Sequence, residues 1–363
     1  MGELELKLQR IRDLLDQHSL DGLLLRQAAS FSWATCGASS SVNVADSYGV
    51  ASLLITSQAR YLITDNIEAG RLQAEQHLQE QGWEARVAGW YEHKSVIEEL
   101  TQGLRLGADC AYPGATDLES DVRWMRAALL PEERDRFRQV SHAAAEAMDA
   151  AIMSLRPRLT EHQIAGILAR EALNRGVEPI VHLVGTDERV LQYRHPVPTD
   201  KRLDKYAMLV LCGRKWGLVA NITRLIHFGR IPDELHNKAR AVALVDAHYI
   251  TATRPGKTVS EVFREAAECY RLYGFEDEWH SHHQGGLAGY VPREVLTTPE
   301  TQDEICVGQA YAWNPSIAGV KSEDTMLVGE EHNEILTAIP RWPVTKVNLR
   351  GQTIERPAIL EVT

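Results

Sequence analysis

Arg156-Pro157-Arg158-Leu159-Thr160-Glu161-His162-Gln163-Ile164 and Arg254-Pro255-Gly256-Lys257-Thr258-Val259-Ser260-Glu261-Val262 decide the architecture, because they are one passage written twice. Both open on Arg-Pro, and both place a Thr three residues before a Gln or Glu. That spacing is a capping box, in which side chain and backbone satisfy each other at the start of a helix. The offset of 98 residues is kept downstream, where Gly176-Val177-Glu178 closes the first helix and Gly274-Phe275-Glu276 the second. Gly is the usual stop past a helix end. Three features in one register predict an internal duplication of a helix–helix–strand unit. Two copies predict a closed, pseudo-symmetric domain rather than a solenoid. Such a domain has a cleft between its halves, a natural place for a site.

Upstream of the first copy, Pro131-Glu132-Glu133 is a strong helix start, with Pro in the first turn and acids at the positive end of the helix dipole. It predicts a long amphipathic helix to about Leu155. The residues before it follow a different plan. Leu4, Leu8, Ile11, Leu14 and Leu15 recur at helical spacing. Asp21-Gly22 turns into a short buried strand at Leu23–Leu25, and Tyr48–Thr56 with Arg60–Thr64 suit a β-hairpin. Glu68–Gln81 reads as a helix closed by Gly82. The expectation is an α/β (α+β) chain, with a small α/β domain over 1–127 and the duplicated domain over 128–363.

The whole chain has 363 residues, 44% of them apolar and 25% charged, with a formal net charge of −11. An acidic total argues against nucleic acid as a partner, since such proteins carry a basic patch or stripe. Apolar runs such as Val50–Ile55 fall far short of the ~20 residues a membrane span needs. The N-terminus lacks a basic stretch followed by an apolar one, so no signal peptide is expected. Five cysteines (Cys36, Cys110, Cys212, Cys269 and Cys306) without a regular spacing suggest reduced thiols and a cytoplasmic location.

After each copy the chain reads as strand. The first is followed by Tyr193-Arg194-His195-Pro196-Val197-Pro198, then Tyr206–Cys212, then Asn221-Ile222-Thr223-Arg224. The second is followed by His280-Ser281-His282-His283-Gln284-Gly285-Gly286, then Ala312-Trp313-Asn314-Pro315 and Lys321-Ser322-Glu323-Asp324-Thr325. This order resembles the creatinase/aminopeptidase P/prolidase superfamily, whose metal-dependent members carry D-x-G, D-x-T-R, G-H-G-x-G, E-P-G and R-x-E-D in that order. The resemblance covers nearly the whole chain, including a creatinase-type N-terminal domain. It implies the pita-bread fold for the C-terminal domain, and a pair of divalent metals held by two Asp, one His and two Glu.

Carried over residue by residue, the family's ligand positions fall on Leu211, Asn221, His283, Asn314 and Glu323, with Lys321 in place of the usual Arg. Three of the five are therefore lost. A bridged pair of divalent ions needs several anionic oxygens, and one Glu with one His cannot supply them. A dinuclear site is not expected. A single rearranged ion at His280, His282, His283 and Glu323 is the alternative, with His280 and His282 on one side of a strand and His283 on the other.

Creatinase implies what this fold does with its metal positions largely replaced. There a histidine in an H-N-P-V strip acts as acid and base on a C–N bond, and His195-Pro196-Val197-Pro198 stands at the matching place. An imidazole is well suited to take a proton from water and return it to a leaving nitrogen. The expected catalytic set is His195 with His283 and Glu323. Asn221, Arg224, Tyr290, Asn314 and Lys321 are expected to bind substrate, Tyr290 standing where the family has a His. Asn314 replaces the Glu with which creatinase holds its cationic substrate, so a small amide, amidine or related compound is expected instead of a guanidinium. Two further readings stand beside this metal-independent hydrolase. One is a proline-specific peptidase with a rebuilt metal site. The other is a non-catalytic relative, since a histone-chaperone subunit uses the fold to bind proteins. The resemblance also implies a homodimer.

Overall fold

Both Thr caps form. Thr160 Oγ1 accepts from the Gln163 backbone N–H while the Gln163 side chain accepts from Thr160 N–H, and Thr258 and Glu261 do the same. The computed structural model describes residues 2–363. The chain folds as two units, one running up to Glu133 and including Trp216–Leu218, the other Arg134–Lys215 with Val219–Thr363.

The first unit holds helices α1 (Glu3–His18), α2 (Ala28–Ala34), α3 (Ala69–Ala74), α4 (His93–Thr101) and α5 (Glu119–Ala127). Its strands are β1 (Gly22–Gln27), β2 (Tyr48–Thr56), β3 (Arg60–Asp65), β4 (Glu84–Ala88), β5 (Leu106–Ala108) and β6 (Ala115–Asp117), in sheet order β4-β3-β2-β1-β5-β6. Strands β1, β2 and β3 pair antiparallel, and the outer pairings are parallel. Leu23, Leu24 and Leu25 are all fully buried, as expected of a central strand covered on both faces. The run Glu68–Gln81 holds only the short α3. His77 takes a left-handed backbone (φ 53°), and Leu78 beyond it is buried in the core.

The second unit carries the duplication. Helices α6 (Pro131–Met153) and α7 (Glu161–Leu173) lead into β7 (Glu178–Thr186), the short α8 (Glu188–Gln192), β8 (Tyr206–Lys215) and β9 (Leu218–Phe228). Helices α9 (Asp233–Ala252) and α10 (Val259–Leu272) repeat the pair. They lead through a 3₁₀ turn at Glu278–Ser281 into β10 (Gly285–Ala288), β11 (Val295–Leu296), β12 (Ala310–Trp313), β13 (Ser316–Ile317), β14 (Val320–Lys321), β15 (Asp324–Leu327) and β16 (Glu334–Ile335). A hairpin of β17 (Val344–Leu349) and β18 (Gln352–Pro357), then β19 (Leu360–Val362), ends the chain.

The first half-sheet has the order β19-β9-β8-β7 and the second β11-β10-β12-β15-β16. They meet where Thr223 of β9 bridges Glu323, just ahead of β15. Strands β8 and β9 are buried almost throughout, and Trp313 of β12 stacks on Tyr249 of α9 at 4.5 Å between ring centres. The seam between the half-sheets is thus buried. It carries the site.

Candidate functional site

Glu323 sits on that seam with its side chain 2% exposed. One carboxylate oxygen accepts from the Arg293 guanidinium at 2.7 Å. The other accepts from Thr223 Oγ1 at 2.6 Å and lies 3.2 Å from Lys321 Nζ. Burial alone would push this carboxyl up, but Lys321 and Arg293 outweigh it and hold the group well below the usual carboxylate range. Taking an ion out of water costs several kcal/mol, so a lone buried Glu would protonate; two cations and a hydroxyl keep this one charged.

Three imidazoles gather nearby. His282 Nε2 is 3.0 Å from His195 Nε2, and the rings of His282 and His283 are 4.4 Å apart. Local structure puts them there. His195 lies in the irregular segment between α8 and β8, where Pro196 O accepts from Val184 N–H of β7. The neighbouring Arg194 forms an ion pair with Glu278, whose 3₁₀ turn directly precedes His282. Gln284 is fully buried, donates to His282 O at 2.7 Å and accepts from Tyr270 O–H at 2.8 Å. Gly285 then takes φ +97°, and a Cβ on it would collide with Ala312 O of β12, so only Gly permits this approach.

All three imidazoles are held neutral. Burial, reinforced by the nearby Lys321, pushes His195 below its ordinary value. Burial with Lys321 takes His282 down to about 2, and burial with Arg293 takes His283 down to about 4. His282 Nδ1 and His283 Nδ1 are buried without a hydrogen-bond partner. So are Asn221 Oδ1 and Asn314 Oδ1, on residues that are themselves buried. Burial pushes the Cys212 thiol up to about 12, which keeps it protonated and unfit as a nucleophile.

Metallopeptidase family M24 matches residues 135–330, more than half of the chain. The chain belongs to metallopeptidase family M24. The creatinase/prolidase N-terminal domain matches residues 7–119. An uncharacterized peptidase of Staphylococcus saprophyticus is 24% identical over 235 residues, 61% of this chain, and the chain spans 65% of that relative's length. The prolidase of Pyrococcus horikoshii superposes with a TM-score of 0.78 at 19% identity, over 92% of this chain and 99% of its own. The Xaa-Pro dipeptidase of Bacillus anthracis gives 0.78 at 18%, over 99% and 100%. The N-terminal domain of the FACT subunit SPT16 from chickpea gives 0.71 at 11%, over 93% and 96%. These structures share the fold with this M24 chain.

The paired metal centre that the resemblance to M24 metalloenzymes implies does not fit the residues present here. Leu211, Asn221 and Asn314 bring no charge, and both oxygens of Glu323 are already engaged by protein cations. The positive charge beside Glu323 comes from Lys321 and Arg293.

Several expectations change with the geometry. His280 is not a strand residue beside His282: it ends a 3₁₀ turn, is exposed, and stacks against Trp279 at 3.6 Å, so it leaves the proposed ligand set. Glu323 leaves that set because its two cations hold it. The third imidazole is His195, and His195, His282 and His283 have ring nitrogens within 4.8 Å of one another. Arg224 is engaged within the fold. It is buried, donates to Asp324 Oδ1 at 2.8 Å and to Thr337 O at 2.9 Å, and is held in the sheet. Tyr290 is buried directly after β10. Lys321 lies beside Glu323, the Asn221 backbone pairs with Thr325 Oγ1, and Asn314 N–H donates to Gln284 O, next to His283. Sequence reasoning passed over Arg293, whose only signal was a cation three residues past Tyr290, and Thr223, which lies inside the quoted D-x-T-R position.

Proposed function

We propose that this chain hydrolyses a C–N bond in a small molecule without a metal pair, with His195 as general acid and base. The reading rests on one observation: the surviving family carboxylate, Glu323, is neutralised by Lys321 and Arg293. The remaining cluster has neutral imidazoles, two neutral amides and a net positive charge from two cations against one carboxylate. Such a site favours developing negative charge and accepts protons on histidine.

In this scheme His195, neutral and solvent-accessible, takes a proton from water as the oxygen adds to the carbon of the C–N group. The positive charge of Lys321 and Arg293 stabilises the oxygen that becomes negative. The C–N bond breaks as His195 returns its proton to the leaving nitrogen, giving an acid and an amine and leaving the imidazole neutral again. His283 and Glu323 orient the centre, and Asn221 and Asn314 offer amide groups to polar atoms of the substrate. A small-molecule substrate, a cytoplasmic location and a homodimer belong to the same reading.

Chelator-treated protein is to be assayed against small amides, ureas, amidines and proline-containing dipeptides. The expected result is turnover that survives chelation and falls by about 10²–10⁴-fold in His195→Ala. Turnover lost on chelation and restored by manganese or cobalt would overturn it in favour of a metallopeptidase with a rebuilt site.

A further inference from the structure

We infer that His195, His282 and His283 form a binding site for a single zinc-type transition-metal ion, displaced from the place of the family's metal pair. The convergence is close. The ligand-capable nitrogens of the three rings lie within 4.8 Å of one another, and a tetrahedral ion with bonds of about 2.0–2.1 Å needs edges of about 3.4 Å. A side-chain adjustment of at most about 1.4 Å closes that gap. His195 is exposed, and its move gives up the 3.0 Å contact with His282 Nε2.

A second observation points to a ligand. Nδ1 of His283 has no hydrogen-bond partner, and His282, 8% exposed, turns its Nε2 toward His195. Buried polar atoms are rarely left unsatisfied. The chain also departs from the motif at this point: the residue ahead of the family His is Gly in G-H-G-x-G and His282 here, so an imidazole has been added where the pattern has no side chain. Rings held neutral meet the requirement that a metal-bound imidazole be unprotonated.

The donor set dictates the ion. Three nitrogens and no carboxylate suit zinc, copper, nickel or cobalt, and leave magnesium, manganese and calcium without their preferred oxygens. The neighbouring Lys321 and Arg293 carry one more charge than Glu323 balances, which weakens the affinity. The site is accordingly one that fills at micromolar ion and not a tightly held resident centre. An ion there takes up His195, so under the proposed function it inhibits; binding itself does not depend on that function.

Metal-free full-length protein is to be titrated with zinc and with manganese by calorimetry, and with cobalt by visible absorption. The expected result is one zinc or cobalt per chain, a tetrahedral cobalt spectrum, and no manganese binding in the same range. His195→Asn and His282→Asn are expected to weaken zinc at least about tenfold, while His280→Asn leaves it unchanged. His195 is exposed, so its variant reports on binding even where His282→Asn disturbs folding. No zinc binding, or zinc binding that persists in His195→Asn, would overturn the site. Manganese bound in place of zinc would overturn it too. Loss of metal-free turnover in His195→Ala speaks only to the hydrolase reading, so the two can fail separately.

Discussion

Glu323 and Asp324 are consecutive, both buried, and solve the problem of a buried carboxylate in opposite ways. Strand alternation sends their side chains to opposite faces. On one face Asp324 accepts from Arg224 at 2.8 Å, Thr337 at 2.6 Å and Arg356 at 2.7 Å, and Arg356 also reaches Asp246 at 2.7 Å. Two Arg meet two Asp, so that cluster is electrically closed. It borders a cavity of about 700 Å³ lined by Arg224, Trp342 and Arg356, and both of these Arg are paired with Asp324. On the other face one Glu meets two cations, and Asn221, Asn314, His282 and His283 keep unpartnered polar atoms. A charge-balanced cluster is tied into the fold, and the charge-unbalanced one is the candidate site.

The comparison breaks first at its strongest point. Arg356→Leu leaves Asp246 and part of Asp324 buried without compensation and is expected to cost about 3–5 kcal/mol, read by urea unfolding. A loss under about 1 kcal/mol would mean that the closed cluster does not hold the sheet together. Arg293→Leu is expected to cost less, about 1–3 kcal/mol, because Glu323 keeps Lys321 and Thr223. An equal or larger loss would erase the distinction between the faces.

Acid sharpens it further. His282 and His283 have folded pKa values of about 2 and about 4, below the ordinary imidazole value of 6.5, and His195 is lowered as well. The unfolded chain therefore binds more protons below that value. The stability these neutral imidazoles contribute is present above pH 6.5 and is lost as pH falls from there toward 4 for His283 and toward 2 for His282. Glu323, also lowered, continues the loss below the ordinary carboxylate value of 4.5. The melting temperature is expected to fall on going from pH 7.5 to pH 4.5, and to fall less in His282→Asn. An identical fall in that variant would show that the buried imidazole is not its cause. The smallest effects are at the caps. Thr160→Ala and Thr258→Ala are each expected to cost about 1 kcal/mol, and clearly unequal losses would limit the duplication to geometry.

How much of this could be read without coordinates depends on the range of each interaction. The capping boxes were legible because a Thr and its partner stand three residues apart. The candidate carboxylate Glu323 and the imidazole His283 were legible through motif position, and Leu211, Asn221 and Asn314 showed by chemistry alone that three of the family's ligand positions carry no charge. Arg293 was not legible, since its contact with Glu323 spans 30 residues and no local pattern marks it. Arg224 was misread for the same reason: its partner Asp324 lies 100 residues away, on the face opposite Glu323. His280 was misread because alternation was assumed where a 3₁₀ turn breaks it.

By itself, the sequence determined the helix starts, the duplication and the absence of enough carboxylates for two divalent ions, because these follow from local hydrogen bonding and from residue chemistry. Only the tertiary structure decided which cations neutralise Glu323 and which three histidines converge. His195 and His282 meet at 3.0 Å across 87 residues. Coulomb attraction and metal coordination depend on distance through space, which the packing of the two half-sheets sets.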